Sequence, residues 1–149
     1  MAGPCLTIYT KDILDEDKKS EIWTYIETIS SEIEGENFWI SGQPFLIASG
    51  EELDEEDKTF DLAGWKPKDI IILCAMCNNQ SSHVLLATIA IKVAEITDGM
   101  ILLECIRKFT HSPAILTLEG HIKVSETDYV VSPGYLGHWL GSGEFRLLK

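Results

Sequence analysis

Cys74-Ala-Met-Cys77 is the spacing in this 149-residue chain most suggestive of chemistry. Two thiols in a CxxC can form a redox pair or supply half of a zinc site. Zinc needs two further ligands, and the sequence holds neither a second CxxC nor an HxxxH. A redox CxxC opens a helix, whose dipole favours the thiolate. Here the pair follows Ile70-Ile71-Ile72-Leu73, the pattern of a buried strand, and Asn78-Asn79-Gln80 separates it from the next helix. The expectation is that Cys5, Cys74, Cys77 and Cys105 are buried, reduced thiols. The remaining thiol chemistry is a nucleophilic pair assembled in space, with Cys105 and His111 or His121 as its members.

The second candidate is the run Glu51-Glu52-Leu53-Asp54-Glu55-Glu56-Asp57, followed by Asp61. Calcium loops alternate their oxygen ligands around a required glycine, and this run has neither feature. Adjacent solvated carboxylates do not make the raised-pKa acid that a glycosidase needs. The run belongs to a larger asymmetry. Residues 1–61 hold 16 Asp and Glu against 4 Lys, whereas residues 62–149 hold 8 acidic and 8 basic residues, so the first part carries all of the net −12. Charge concentrated this way weakens the compact state by self-repulsion and attracts cations. The reading is a surface for a basic partner, formed by Glu51, Glu52, Asp54, Glu55, Glu56, Asp57 and Asp61, with Trp65 as an aromatic anchor. A solvated loop is the plain alternative. Trp39, on the other side of the run, is a further aromatic that could equally be core.

Other motifs are missing. His83, His111, His121 and His138 stand in no metal-ligand spacing. Ser132-Pro133-Gly134-Tyr135 is not a nucleophile elbow, and Gly137–Gly143 reads as a loop. There is no phosphate-cradling or dinucleotide-binding glycine pattern. The expectation is a non-enzyme without metal or cofactor. The acidity also argues against nucleic acid and anionic membranes as partners.

The elements that must carry these residues follow from periodicity. Pro4–Thr10 reads as a strand. Ile22, Ile26, Ile29 and Ile33 mark one face of a helix from about Asp15 to Glu34, with Trp23 beside the stripe. Phe38–Ile40 and Phe45–Ala48 flank Ser41-Gly42-Gln43-Pro44 as a hairpin. Residues 49–68 form an acidic surface connection. Asp69–Met76 reads as a central strand buried on both faces. A second, largely buried helix runs to Thr97, capped by Ser81 or Ser82, and Asp98-Gly99 ends it before a strand at 100–103. Residues 105–149 read as a C-terminal extension: a hairpin across Glu119-Gly120-His121, a short strand at 129–131, a short helix at 135–140 and a terminal strand at 145–148. The fold class is α+β: one domain over 1–149, a mixed or antiparallel sheet with two main helices on one face, and a ferredoxin-like split βαβ core. The chain begins without a signal-peptide pattern and has no transmembrane-length apolar run, so a cytoplasmic location is expected.

Three stretches resemble a family of immunity-like bacterial proteins. They are Met1-Ala2-Gly3-Pro4, the segment from Ser82-His83-Val84-Leu85-Leu86 to Asp98-Gly99-Met100-Ile101, and Tyr135–Leu140 with Phe145–Lys149. The resemblance implies an immunity protein of a polymorphic or contact-dependent toxin system, which binds and neutralises a cognate toxin. That toxin would be basic, and a nuclease is one such protein, since its cleft must hold a phosphate backbone. The alternatives are a small cytoplasmic thiol enzyme or redox protein, using Cys74 and Cys77 or a Cys–His pair, and a non-catalytic adaptor for another basic protein.

Overall fold

The computed structural model describes residues 3–49, 64–103, 121–123, 128–142, 145 and 147. The expected binding residues Glu51–Asp57 and Asp61, and the candidate pair Cys105 and His111, lie outside them. The elements are β1 (Cys5–Thr10), α1 (Glu16–Ile29), β2 (Glu32–Glu34), β3 (Asn37–Ile40), β4 (Gln43–Ser49), β5 (Asp69–Ala75), α2 (Gln80–Thr97), β6 (Met100–Leu103), β7 (His121–Lys123), β8 (Tyr129–Val131) and α3 (Pro133–Gly141). The strands form one sheet in the order β2-β3-β4-β5-β1-β6-β8-β7, with every neighbouring pair antiparallel. The central order β4-β5-β1-β6, with α1 and α2 as the crossovers, is the expected split βαβ core. Strands β2 and β3 extend it on one side, β8 and β7 on the other.

Side-chain alternation divides the sheet's two faces. Leu6, Ile8, Phe45, Ile47, Ile71, Leu73, Ile101 and Val131 share one buried cluster with Ile22 and Ile26 of α1, with Leu86, Ile89 and Val93 of α2, and with Leu136 and Trp139 of α3. All three helices therefore cover this face. On the other face a smaller cluster joins Tyr9, Met100 and Val130, with Trp65, Ile70 and Leu102 packed against it. Strand β5 is fully buried only at alternate positions, because no described helix covers its second face. That corrects the expectation of burial on both faces.

The first helix stops earlier than its isoleucine period. Ser30 leaves helical geometry at ψ 144°, and its hydroxyl and N–H both bond the Ile26 carbonyl, at 2.6 and 3.0 Å. Ser31 N–H then donates to the Trp39 carbonyl at 2.8 Å, so Ile33 continues a strand opposite Phe38, not a further helical turn. The 41–44 hairpin holds. Ser41 and Gly42, at φ 51° and 78°, form a two-residue turn with both φ positive, the kind whose twist matches the flanking strands.

Asn79, not Ser81 or Ser82, caps α2, accepting the Ser82 N–H at 2.9 Å. Both serines instead bond the side chain of Gln43 at the start of β4. Asp98, at φ 51°, closes the helix. The following Gly99 is needed for close approach: a Cβ there would lie 2.5 Å from the Tyr9 carbonyl oxygen. Ser132 caps α3, accepting the Tyr135 N–H at 3.1 Å. Phe145 and Leu147 are buried but not in a strand, and Phe145 packs edge-on against Trp139. No helix of the described residues is long and apolar enough to cross a membrane.

Candidate binding cleft and its acidic surround

Helix α1 carries the residues of the candidate site. Asp15 caps it by accepting the Lys18 N–H at 2.8 Å, and Glu16 and Asp17 add negative charge to the first turn, where the helix dipole favours it. Ile22 and Ile26 turn into the core. Trp23, one position round the helix, is left half-buried, with Lys19 four residues before it on the same ridge. Trp23 and Lys19 stand over the end of β4. Register places Ser49 opposite Ile71 and Ile47 opposite Leu73, all on the helix-bearing face. Ile47 N–H donates to the Glu36 carbonyl at 3.0 Å, which fixes Glu36 beside β4.

These residues enclose an open cleft of about 80 Å³. Leu14, Ile22, Ile47 and Ile71 give it apolar walls, with Trp23 and Ser49 beside them, and Lys19 and Glu36 bring the charges. Ile13, next to Leu14, is 69% exposed, a large apolar side chain left in water near the cleft.

The segment that carries the cleft exposes charge of one sign, with Glu36 at the cleft itself and Glu32 and Glu34 on the sheet's other face. Residues 3–49 contain nine Asp and Glu, and every one is exposed: Asp12, Asp15, Glu16, Asp17, Glu21, Glu27, Glu32, Glu34 and Glu36. The three lysines there are already engaged. Lys19 pairs with Glu16 at 3.7 Å, and Lys11 with Asp98 at 3.7 Å. Lys18 pairs with Glu21 at 3.9 Å and donates to the Ile96 carbonyl at 3.0 Å, tying α1 to the end of α2. Such exposed pairs contribute little stability. They do hold the lysines, so most of the carboxylates face water uncompensated. Ser49, on the cleft wall, precedes Glu51 by two residues in the sequence.

A model of the family of unknown function DUF6368 matches residues 2–149. The chain belongs to this family. No curated protein and no solved structure matches it.

Two of the DUF6368 chain's cysteines overturn the thiol expectation. Cys74 is bonded to Cys5, not poised with Cys77. Ala75 N–H donates to the Pro4 carbonyl, so the next pair along, Cys5 and Cys74, is of the closer, non-hydrogen-bonded kind, with Cα atoms 4.1 Å apart. Cys5 is exposed, and Cys74 and Cys77 are half-buried, so burial fails as an expectation too. Cys77 is a free thiol.

The remaining sequence candidates are dispersed. Trp65 is half-buried in the cluster on the sheet's other face, away from the cleft. Trp39 is half-buried in β3. His83 is buried, its Nε2 2.8 Å from the Asn78 carboxamide oxygen, while His138 is exposed on α3. His121 lies in β7. Among the described residues no group of three His, Cys, Asp or Glu side chains could hold a metal ion. Two tyrosines are displaced from their ordinary range. Burial, reinforced by Glu95, pushes the Tyr25 phenol up. Burial and then Tyr129 push Tyr135 up to about 12.

The sequence points to the connection as the contact and gives no direct sign of the cleft. Trp23 was the available signal: a tryptophan flanking a helix's apolar stripe is left at the margin of the core, where a cleft can form.

Proposed function

We propose that this protein binds and neutralises a basic protein, as an immunity protein does its cognate toxin, through the exposed carboxylates of α1 and the β2–β3 hairpin together with the acidic run Glu51–Asp57. The observation that carries this reading is the set of nine exposed carboxylates in residues 3–49 against three lysines that are already ion-paired. Uncompensated charge of one sign raises the local concentration of an oppositely charged partner and speeds its approach. The cleft and Ile13 supply apolar contacts that would set the lifetime of the complex. A nuclease toxin fits the chemistry, because a cleft that holds phosphates is positive.

Under this reading the protein works in the cytoplasm of the toxin-producing cell. In that reducing compartment the Cys5–Cys74 disulfide of the structure would be opened, leaving the two thiols facing one another across β1 and β5. The thiol-enzyme alternative loses support, since Cys74 is aligned with Cys5 across the sheet and not with Cys77.

The test is whether a neighbouring reading frame encodes a toxin domain and, with that domain in hand, co-expression of the two. Survival of the cells and a stoichiometric complex that weakens as salt is raised are expected. Continued toxicity, or a complex indifferent to salt, would count against the reading.

A further inference from the structure

We infer that the cleft between α1 and β4 is an anchor pocket for a single arginine side chain of the basic partner. The inference rests on the proposed function for the partner and on the cleft alone for the anchor.

Size sets the first limit. One water needs about 10–15 Å³ measured this way, so a cleft of about 80 Å³ holds a handful of waters or one long side chain. A nucleotide or an inserted helix is too large. Chemistry sets the second limit. Leu14, Ile22, Ile47 and Ile71 line a passage suited to an aliphatic stem. Trp23 offers a half-buried indole, which attracts a cation placed over its face. Glu36 offers an exposed carboxylate on a stretch of backbone that its own carbonyl ties to β4. Among the described residues the one cation at the cleft, Lys19, pairs with Glu16, so Glu36 is left as the charge that a ligand meets.

An apolar stem with a cationic head describes both lysine and arginine, and two features favour arginine. The planar guanidinium stacks on an indole and bonds a carboxylate through two N–H groups, whereas an ammonium does neither. It is also more weakly hydrated, so leaving water for a half-buried site costs less. The exposed carboxylates draw the basic partner in, and the pocket fixes its register.

The test needs no partner. N-acetyl-L-arginine methylamide is titrated into the full chain, and the indole N–H resonances of its four tryptophans are followed by NMR. Trp23→Phe assigns the Trp23 signal. A saturable shift of that signal in the millimolar range is expected, as suits one side chain without the rest of an interface. The lysine analogue should bind at least about threefold more weakly, and the uncharged citrulline analogue should leave the signal in place. Glu36→Gln, at an exposed position where folding is unaffected, should weaken the arginine probe by about threefold or more. A Trp23 signal that does not move, or moves equally with citrulline, overturns the pocket. That failure is separate from failure of the proposed function, which is read from the salt-dependent complex with the toxin.

Discussion

Cys5 and Cys74 sit directly opposite one another in adjacent antiparallel strands and are joined by a disulfide that spans 69 residues of sequence. The bond ties β1 to β5 at the centre of the sheet, beyond what the backbone ladder provides. A cross-link closing a loop this long stabilises mainly by restricting the unfolded chain. The double variant Cys5→Ser/Cys74→Ser should lose about 2–4 kcal/mol under non-reducing conditions, read from chemical denaturation. Wild-type protein in strong reductant should approach the variant's stability. Equal stability of oxidised wild type and variant would show that the cross-link adds nothing.

Gly99 tests the packing of the same central strand. A Cβ at this position would lie 2.5 Å from the Tyr9 carbonyl, a backbone atom that cannot swing aside. Gly99→Ala should therefore cost about 1–3 kcal/mol, because β1 or the start of β6 must shift. A thermal or denaturant midpoint equal to wild type would refute this close approach.

Tyr135 gives a pH signature. Its folded pKa is raised to about 12 by burial and by Tyr129, from 10.0 in the unfolded chain. Between these values the folded state keeps the proton and the unfolded state releases it. Stability contributed by the neutral phenol is thus fully present below pH 10 and is lost as pH rises towards about 12. Tyr135→Phe has no such proton to lose. Its stability relative to wild type should improve progressively across that window, by roughly 2–3 kcal/mol at most. A constant difference across the window would place the tyrosine in an unstrained, solvated setting.

Asn79 tests the start of α2. Its side chain accepts the Ser82 N–H, and Asn79→Ala should cost about 1 kcal/mol, with the cost appearing in the denaturation midpoint. Ser81→Ala should cost less, since Ser81 is exposed and bonds only the Gln43 side chain.

These residues also mark what could be read before the structure. Period alone located α1, α2, the central strands and the 41–44 hairpin, and their order was enough for the split βαβ core. Periodicity could not show that Ser30 would end α1, because Ile29 and Ile33 keep the helical spacing while belonging to two different elements. Asn79, Ser81 and Ser82 all have capping chemistry, and only the backbone path decides among them. The Cys5–Cys74 bond depends on register, which is a long-range property: one residue of slip would put the two thiols on opposite faces. The cleft was illegible for a related reason, since Trp23, Glu36 and Ser49 meet only when α1 settles over β4.

The central claim is that these exposed carboxylates steer a basic partner. Its most direct test is the association rate with a toxin domain found in a neighbouring reading frame, measured by stopped flow as salt is varied. Two variants are compared with wild type: Asp17→Asn/Glu21→Gln/Glu27→Gln/Glu34→Gln in α1 and β2, and Gln replacements at Glu51, Glu52, Asp54, Glu55, Glu56 and Asp57. The account predicts that each variant associates about tenfold more slowly at low salt, with a flatter salt dependence, while wild type slows steeply as salt is added. Wild-type rates and salt slopes in both variants would contradict it.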